Sequence, residues 1–172
     1  MDIQPLFRSV PSDGPLAVRE SLRPVRVTEE GTVGAPPERV YAVLADYRNH
    51  HRRILPPAFR RLSVEAGGVG AGTLIAVELA LGGRIHAFRA RVEEPEPGRV
   101  LKETDVESGA ATTFTVRPDG AGARVRIETI FTPPPGLRGL FERRVAAFLL
   151  RRLYREELAR LNAYAQPAPG SG

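Results

Sequence analysis

The chain has 172 residues, enough for one ordinary globular domain that folds without disulfides or a structural metal. It contains no cysteine, which excludes thiol catalysis, disulfide frameworks and cysteine-based zinc sites. Its net charge is +5, and two arginine clusters hold the excess: residues 45–61 carry five Arg against one Asp, and residues 137–164 carry seven Arg against three Glu. Such clusters are typical of solvated helix faces, or of surfaces that bind nucleic acid, anionic lipid or an anionic small molecule.

The two ends of the chain differ in composition from its middle. Residues 1–24 are rich in Pro, Ser, Gly and Asp without a sustained period, which predicts an irregular N-terminal arm. Residues 166–172 predict a flexible tail. The first residues lack the apolar core of a signal peptide, and no apolar run is long enough to span a membrane. We therefore expect a soluble, cytoplasmic protein.

A strand and short helices come first in the folded part. Val25, Val27 and Val33 alternate over residues 25–33, which favours a strand. Pro36 and Pro37 can then begin a helix, and helical structure must end by residue 55, because Pro56 follows.

Two adjacent histidines, His50 and His51, lie near the end of this helical region. Consecutive residues on a helix point about 100° apart, so this pair does not form a metal site easily. We interpret both as the polar end of a second short helix. We predict no metal and no cofactor.

The next 70 or so residues change to a period of two. Strands are predicted over 60–66, 73–81, 84–94, 100–106, 111–118 and 123–132, joined as an antiparallel meander. A long amphipathic helix follows from residue 137. One of its apolar faces holds Phe141, Val145 and Phe148, and the other runs from Leu150 to Leu161; the helix is either buried over a broad arc or bent between them. Packing this helix on the sheet leaves an apolar space between the two.

Five ordered segments carry a resemblance to a known family: "VTEEGTVGAPPERVYAVLADYRNH", "GTLIAVEL", "RARVEEPEPGRVLKET", "TTFTVRPDGAGARVRIETIF" and "LYREELARLNAYAQ". Over residues 25–165 the chain resembles the SRPBCC superfamily, also called START-like or helix-grip, in its polyketide cyclase/dehydrase-type branch. The resemblance implies an α+β helix-grip fold. In this fold a strongly curved antiparallel sheet of about seven strands wraps around a long C-terminal helix, with two short helices after the first strand. It also implies a cavity for a hydrophobic small molecule, but no shared catalytic motif.

Strand alternation predicts which side chains face that cavity. His86 and Glu29 share the inward phase and are candidates for an acid and a base acting on an enolisable ligand, although a hydrogen-bonded strand histidine is the commoner role. The predicted ligand-binding residues are Val27, Ile75, Val77, His86, Phe88, Ala90, Thr112, Phe114, Val116, Ile127, Thr129, Phe131, Phe141, Val145 and Phe148.

Three functions follow as hypotheses. The first is binding or carriage of a hydrophobic small molecule, with or without an anionic end. The second is a polyketide cyclase/dehydratase-type enzyme that acts on a similar ligand. The third is nucleic-acid or membrane-surface binding through the arginine clusters; no specific nucleic-acid partner is expected, because exposed aromatic residues are not interleaved with the basic ones. We expect a monomer or a weak homodimer.

Overall fold

The structure is a computed structural model that describes residues 24–133 and 137–166, with side chains described from residue 144 onward in the second range. The predicted arm (1–24) and tail (166–172) lie outside the described residues, except for Pro24 and Gln166. The folded elements run from Val25 to Ala165. The domain boundaries otherwise stay predictions. No helix in the described ranges is long and apolar enough to cross a membrane.

Seven antiparallel strands form one curved sheet in the order β1-β7-β6-β5-β4-β3-β2. Every predicted strand is present, and most ends agree within two residues, because each bounding turn carries Gly or Pro. The predicted α+β helix-grip fold is confirmed. The strands are β1 (Val25–Val33), β2 (Phe59–Ala66), β3 (Leu74–Leu81), β4 (Arg84–Glu96), β5 (Val100–Asp105), β6 (Ala111–Asp119) and β7 (Gly122–Phe131).

The described residues also form three helices: α1 (Pro37–Ala45), α2 (His51–Ile54) and α3 (Leu137–Ala165). Proline occupies the first turn of α1, where its missing N–H group leaves no bond unmade. Helix α2 ends where predicted, because Leu55 precedes a proline and adopts an extended conformation. The two short helices therefore follow β1 directly.

The second half of α3 packs along β1, an edge strand of the sheet. Gly31 makes this approach close: a Cβ atom at this position would lie 3.4 Å from the Cδ1 atom of Leu158. Asn162 adds a polar contact, because its Oδ1 atom accepts a hydrogen bond from the Gly34 amide at 2.9 Å. The buried stripe of the helix consists of Leu150, Leu153, Tyr154, Glu157, Leu158, Leu161 and Ala165.

Two residues of α3, Val145 and Phe148, do not face the sheet as predicted. Val145 is 36% exposed and Phe148 is 68% exposed, so their assignment to the inward face was wrong. Phe148 precedes Leu150 by two residues, which at about 100° per residue places it on the opposite side of the helix. With the buried stripe beginning at Leu150, Phe148 is therefore turned to solvent. The side chain of Phe141, also predicted to face inward, lies outside the described residues.

A candidate ligand cavity with a buried acidic cluster

An apolar cavity of about 70 Å³ lies between the concave face of the sheet and α3. Its walls come from six strands and from both α2 and α3, while the edge strand β1 takes no part among the described residues. The cavity is lined by His51, Leu55, Phe59, Leu62, Ile75, Val77, Leu79, Phe88, Ala90, Glu103, Asp105, Ala110, Thr112, Phe114, Thr129, Leu150, Leu153, Tyr154 and Glu157.

A row of polar side chains crosses the floor of this cavity. Glu103, Thr112 and Thr129 are cross-strand partners on β5, β6 and β7, so their side chains share one face of the sheet. The hydroxyls of Thr112 and Thr129 are 2.7 Å apart, and Thr129 also contacts the hydroxyl of Tyr154 from α3. Burial raises the pKa of Tyr154, which keeps the phenol neutral. A chain of hydroxyls thus connects the sheet to the helix.

Glu157 enters the cavity from α3, three residues after Tyr154. It is 2% exposed, and its Oε1 atom has no hydrogen-bond partner among the described residues. Burial, followed by the negative charge of Glu103, raises the pKa of Glu157 to about 8. The carboxyl is therefore mostly protonated at neutral pH, and no described residue uses the hydrogen-bonding capacity of its Oε1 atom.

Glu103 is held by the region around α2. The Tyr47 hydroxyl donates to its Oε1 atom at 2.6 Å, and burial together with the Glu103 charge raises the pKa of Tyr47. The Nδ1 atom of His51 is 2.6 Å from the Leu44 carbonyl; because a carbonyl only accepts, Nδ1 carries a proton. The Nε2 atom of His51 then faces Glu103 at 3.9 Å.

The histidine pair divides between the cavity and the surface. His51 is 2% exposed, stacks on Tyr47 with ring centroids 4.5 Å apart, and meets the Phe114 ring edge-on at 5.7 Å. Its assignment to the polar end of the helix was wrong. His50 is exposed, as predicted, and its Nδ1 atom is 2.8 Å from the Tyr164 hydroxyl. The angle between consecutive helical residues separates the two rings.

The structure places part of the predicted ligand-binding set around the cavity. Val27, Val116, Ile127 and Phe131 are buried in the packed core and do not line the cavity. Whether the lining residues contact a ligand stays a prediction. The predicted residues that line the cavity are Ile75, Val77, Phe88, Ala90, Thr112, Phe114 and Thr129.

The proposed acid–base pair does not form. Glu29 is on the concave face opposite Ile127, as alternation predicts, but it lies on the edge strand β1 and pairs with Arg155 of α3 at 3.0 Å. His86 lies opposite Leu79 near the β3–β4 turn, with its Nε2 atom 3.3 Å from the Leu81 carbonyl, and does not line the cavity. Strand alternation correctly predicted that both side chains lie on the concave face of the sheet. It did not predict that both lie outside the cavity lining.

The acidic residues of the cavity were missed, although the sequence contained a signal for each. Glu103 and Asp105 alternate along β5 with the same spacing as the inward-facing Leu101, and Glu157 falls within the apolar stripe of α3. An acidic residue at a position where the pattern calls for an apolar one indicates a buried carboxyl. No group of three or more His, Asp or Glu side chains in the described ranges could hold a metal ion, and the absence of a metal stays a prediction.

A family model described as "Polyketide cyclase / dehydrase and lipid transport" matches residues 24–166, which is most of the chain. The chain belongs to this family, within the SRPBCC superfamily. No curated protein matches the chain. The resemblance read from the five sequence segments is thereby confirmed.

Several solved structures have a fold similar to that of this chain. The KanY protein is 29% identical, with a TM-score of 0.75 over 85% of this chain and 100% of its own. The Zhui aromatase/cyclase from Streptomyces sp. R1128 is 18% identical, with a TM-score of 0.72 over 87% and 100%. The di-domain aromatase/cyclase StfQ from the steffimycin biosynthetic pathway is 18% identical, with a TM-score of 0.70 over 86% and 52%. At 18% identity the last two likenesses establish the fold alone.

Proposed function

We propose that this protein binds a small hydrophobic molecule that carries a hydrogen-bonding group, in the cavity between the sheet and α3. The supporting observation is the Oε1 atom of Glu157, which lines an apolar cavity without a hydrogen-bond partner among the described residues. Leaving such an atom unpaired costs about 1–3 kcal/mol, and a bound ligand recovers this free energy. Apolar walls with a few convergent polar groups are typical of small-molecule sites.

The size of the cavity limits the ligand. About 70 Å³ holds about five water-sized groups, whereas pockets for drug-sized ligands measure about 300–1,000 Å³. The ligand is therefore small, or the cavity widens when a larger one enters. Five of the lining residues are half-buried: Phe59, Leu62, Phe88, Glu103 and Thr112.

The charge of the lining revises the expectation of an anionic end. Glu103, Asp105 and Glu157 are acidic, and no Arg or Lys in the described ranges lines the cavity. A ligand carboxylate inside the cavity would meet like charges and lose its hydration. An anionic end fits this proposal only if it stays outside the cavity, near the surface arginines.

The test compares two alanines that are both almost fully buried. Ala90 lines the cavity, whereas Ala123 lies in the packed core away from it. We expect Ala90→Leu to abolish binding of a fluorescent apolar probe with a small loss of stability. Ala123→Leu should retain binding and lose about 1–3 kcal/mol, because a packed core rejects added volume. A solid interior predicts the opposite: no probe binding to the wild type, and a large stability loss in both variants.

A second function, dehydration of a β-hydroxy ketone, is favoured by the neutral carboxyl of Glu157 in the same cavity as His51. In that reaction Glu157 would protonate the leaving hydroxyl while the Nε2 atom of His51 takes the proton on the carbon next to the carbonyl, so that water leaves and an enone forms. Enone absorbance measures the rate. We expect Glu157→Gln to lower it about a hundredfold while probe binding persists. Binding without turnover by the wild type would exclude this second function.

Several expectations stay predictions. They are a cytoplasmic location, a monomer or weak homodimer, the lack of a specific nucleic-acid partner, and contact with a membrane surface.

A further inference from the structure

The three acidic side chains of the cavity differ in how many hydrogen-bond partners their carboxyl oxygens already have. Asp105 accepts hydrogen bonds from the Glu107 amide at 3.0 Å and from the Ser108 hydroxyl at 2.5 Å, so it stabilises the turn after β5. Glu103 accepts one from the Tyr47 hydroxyl. Only Glu157 combines almost complete burial with a carboxyl oxygen that has no partner among the described residues.

Among the described residues, the cavity also lacks a fixed positive charge to balance these acids. The lining contains no Arg or Lys in the described ranges, and the imidazole of His51 already donates one N–H to the Leu44 carbonyl. A carboxylate accepts hydrogen bonds but donates none, so the cavity is rich in acceptors. A ligand group with several donors and one positive charge is the chemical complement of this arrangement.

We propose that the ligand is a small hydrophobic primary amine, whose ammonium group binds between Glu157 and Glu103 while its carbon chain fills the apolar part of the cavity. This inference rests on the proposed binding function and names its ligand class. An ammonium group has three N–H donors and no acceptor, which matches two carboxyl groups on opposite walls. An alcohol satisfies only the free oxygen of Glu157, and a carboxylate adds a further negative charge.

Binding of an ammonium ion is coupled to a proton. Glu157 is mostly protonated at pH 7, because burial and Glu103 raise its pKa to about 8. A cation held against the carboxyl favours the ionised form, so the amine displaces the carboxyl proton. Amine binding should therefore release about one proton per ligand at pH 7, whereas binding of an alcohol should release none.

The experiment compares three probes with the same carbon chain: pentylamine, pentanol and pentanoate. Calorimetric titrations of the full chain at pH 7 in phosphate and in MOPS measure affinity and, from the difference in apparent enthalpy, proton release. We expect pentylamine to bind at least about tenfold more tightly than pentanol, with release of about one proton, and pentanoate not to bind.

Glu157→Gln should lower pentylamine affinity to that of pentanol and abolish the proton release. Glu156→Gln is the matched control, because the same charge is removed from the adjacent, exposed position of α3. Its binding should equal that of the wild type.

The outcomes separate this inference from the proposed function. If pentylamine and pentanol bind equally well and no proton is released, the amine inference is wrong and cavity binding stands. If amine affinity survives in Glu157→Gln, the amine binds elsewhere and the inference is also wrong. If neither these probes nor the fluorescent apolar probe binds, the proposed function fails together with the inference. The wild-type proton measurement decides the question even if the variant does not fold.

Discussion

Glu157 shows how one buried side chain links the fold to its function. Its position on α3, between Tyr154 and Leu158, belongs to the stripe that packs on the sheet, so folding removes its carboxyl from water. An ionised carboxylate without a partner is very unfavourable there, and the group therefore stays protonated. A protonated carboxyl can both donate and accept a hydrogen bond, which is why it suits a ligand site.

The first prediction concerns stability as a function of pH. Because the pKa of Glu157 rises from 4.5 in the unfolded chain to about 8 in the fold, its contribution is fully present below pH 4.5 and is lost as the pH rises to about 8. Urea unfolding of the wild type should lose up to about 1.4 kcal/mol per pH unit in this window relative to Glu157→Gln.

Other titrating groups also line the cavity around Glu157. Because they are present in both the wild type and Glu157→Gln, their contributions to the pH dependence of the unfolding free energy cancel to first order in the difference between the two. A difference in unfolding free energy that does not change between pH 5 and pH 8 would show that Glu157 is not buried in its neutral form. The groups concerned are Glu103 and Asp105 from β5, His51 from α2, Tyr47 from the turn after α1, and Tyr154 from α3 itself.

At the scale of elements, α3 has one face for the sheet and another for solvent. Leu158 is 6% exposed and packs against Gly31 of β1, so Leu158→Ala should cost about 2–4 kcal/mol by urea unfolding. Phe148→Ala is the control on the same helix: Phe148 is mostly exposed, and its loss should change stability by less than about 0.5 kcal/mol. Equal costs at both positions would contradict this assignment of faces.

The exposed face of α3 also supports a prediction about membrane-surface contact. Phe148 and Val145 are surrounded by the exposed side chains of Arg144, Arg151 and Arg152. An apolar residue among cations is typical of a helix that lies on an anionic membrane surface. We expect the protein to sediment with phosphatidylglycerol vesicles but not with phosphatidylcholine vesicles, and Phe148→Ser to reduce this binding.

Val69→Ser provides the matched control for that experiment. Val69 is 63% exposed, close to Phe148 in exposure, but it lies outside α3 in the loop before β3, where the Arg48 side chain donates to the Gly67 carbonyl. Sedimentation that is equally weakened by both substitutions, or equally strong with both lipids, would exclude a specific role for the α3 face.

At the scale of the whole molecule, the sheet and the helices share one hydrophobic core. The sequence contains no cysteine, and no metal-binding group is found in the described ranges. We therefore expect a chelator such as EDTA to leave the melting temperature unchanged. Stoichiometric zinc in the purified protein, lost on replacement of His50 or His51, would contradict this prediction.

The sequence alone was sufficient for the order of elements and for most of their ends. Alternation of Val, Ile and Phe with polar residues, bounded by Gly and Pro, depends on neighbours along the chain, so it could be read without the tertiary structure. The inward phase of Thr112 and Thr129 followed from the same local pattern, and the two hydroxyls are indeed in contact. The helix stripe from Leu150 to Leu161 was also correct.

The tertiary structure decided which residues of the correct face reach the cavity. Glu29 faces the same side as Ile127 but meets Arg155, since α3 lies along β1 and covers that edge. Phe148 fits a helical pattern as well as Leu150 does, and only the rotation of α3 against the sheet turns it outward. His51 and Glu157 are far apart in the sequence but line the same cavity, because α2 and α3 both border it. Local periodicity determines the face of each element, whereas the placement of elements relative to one another depends on long-range packing that no short stretch of sequence contains.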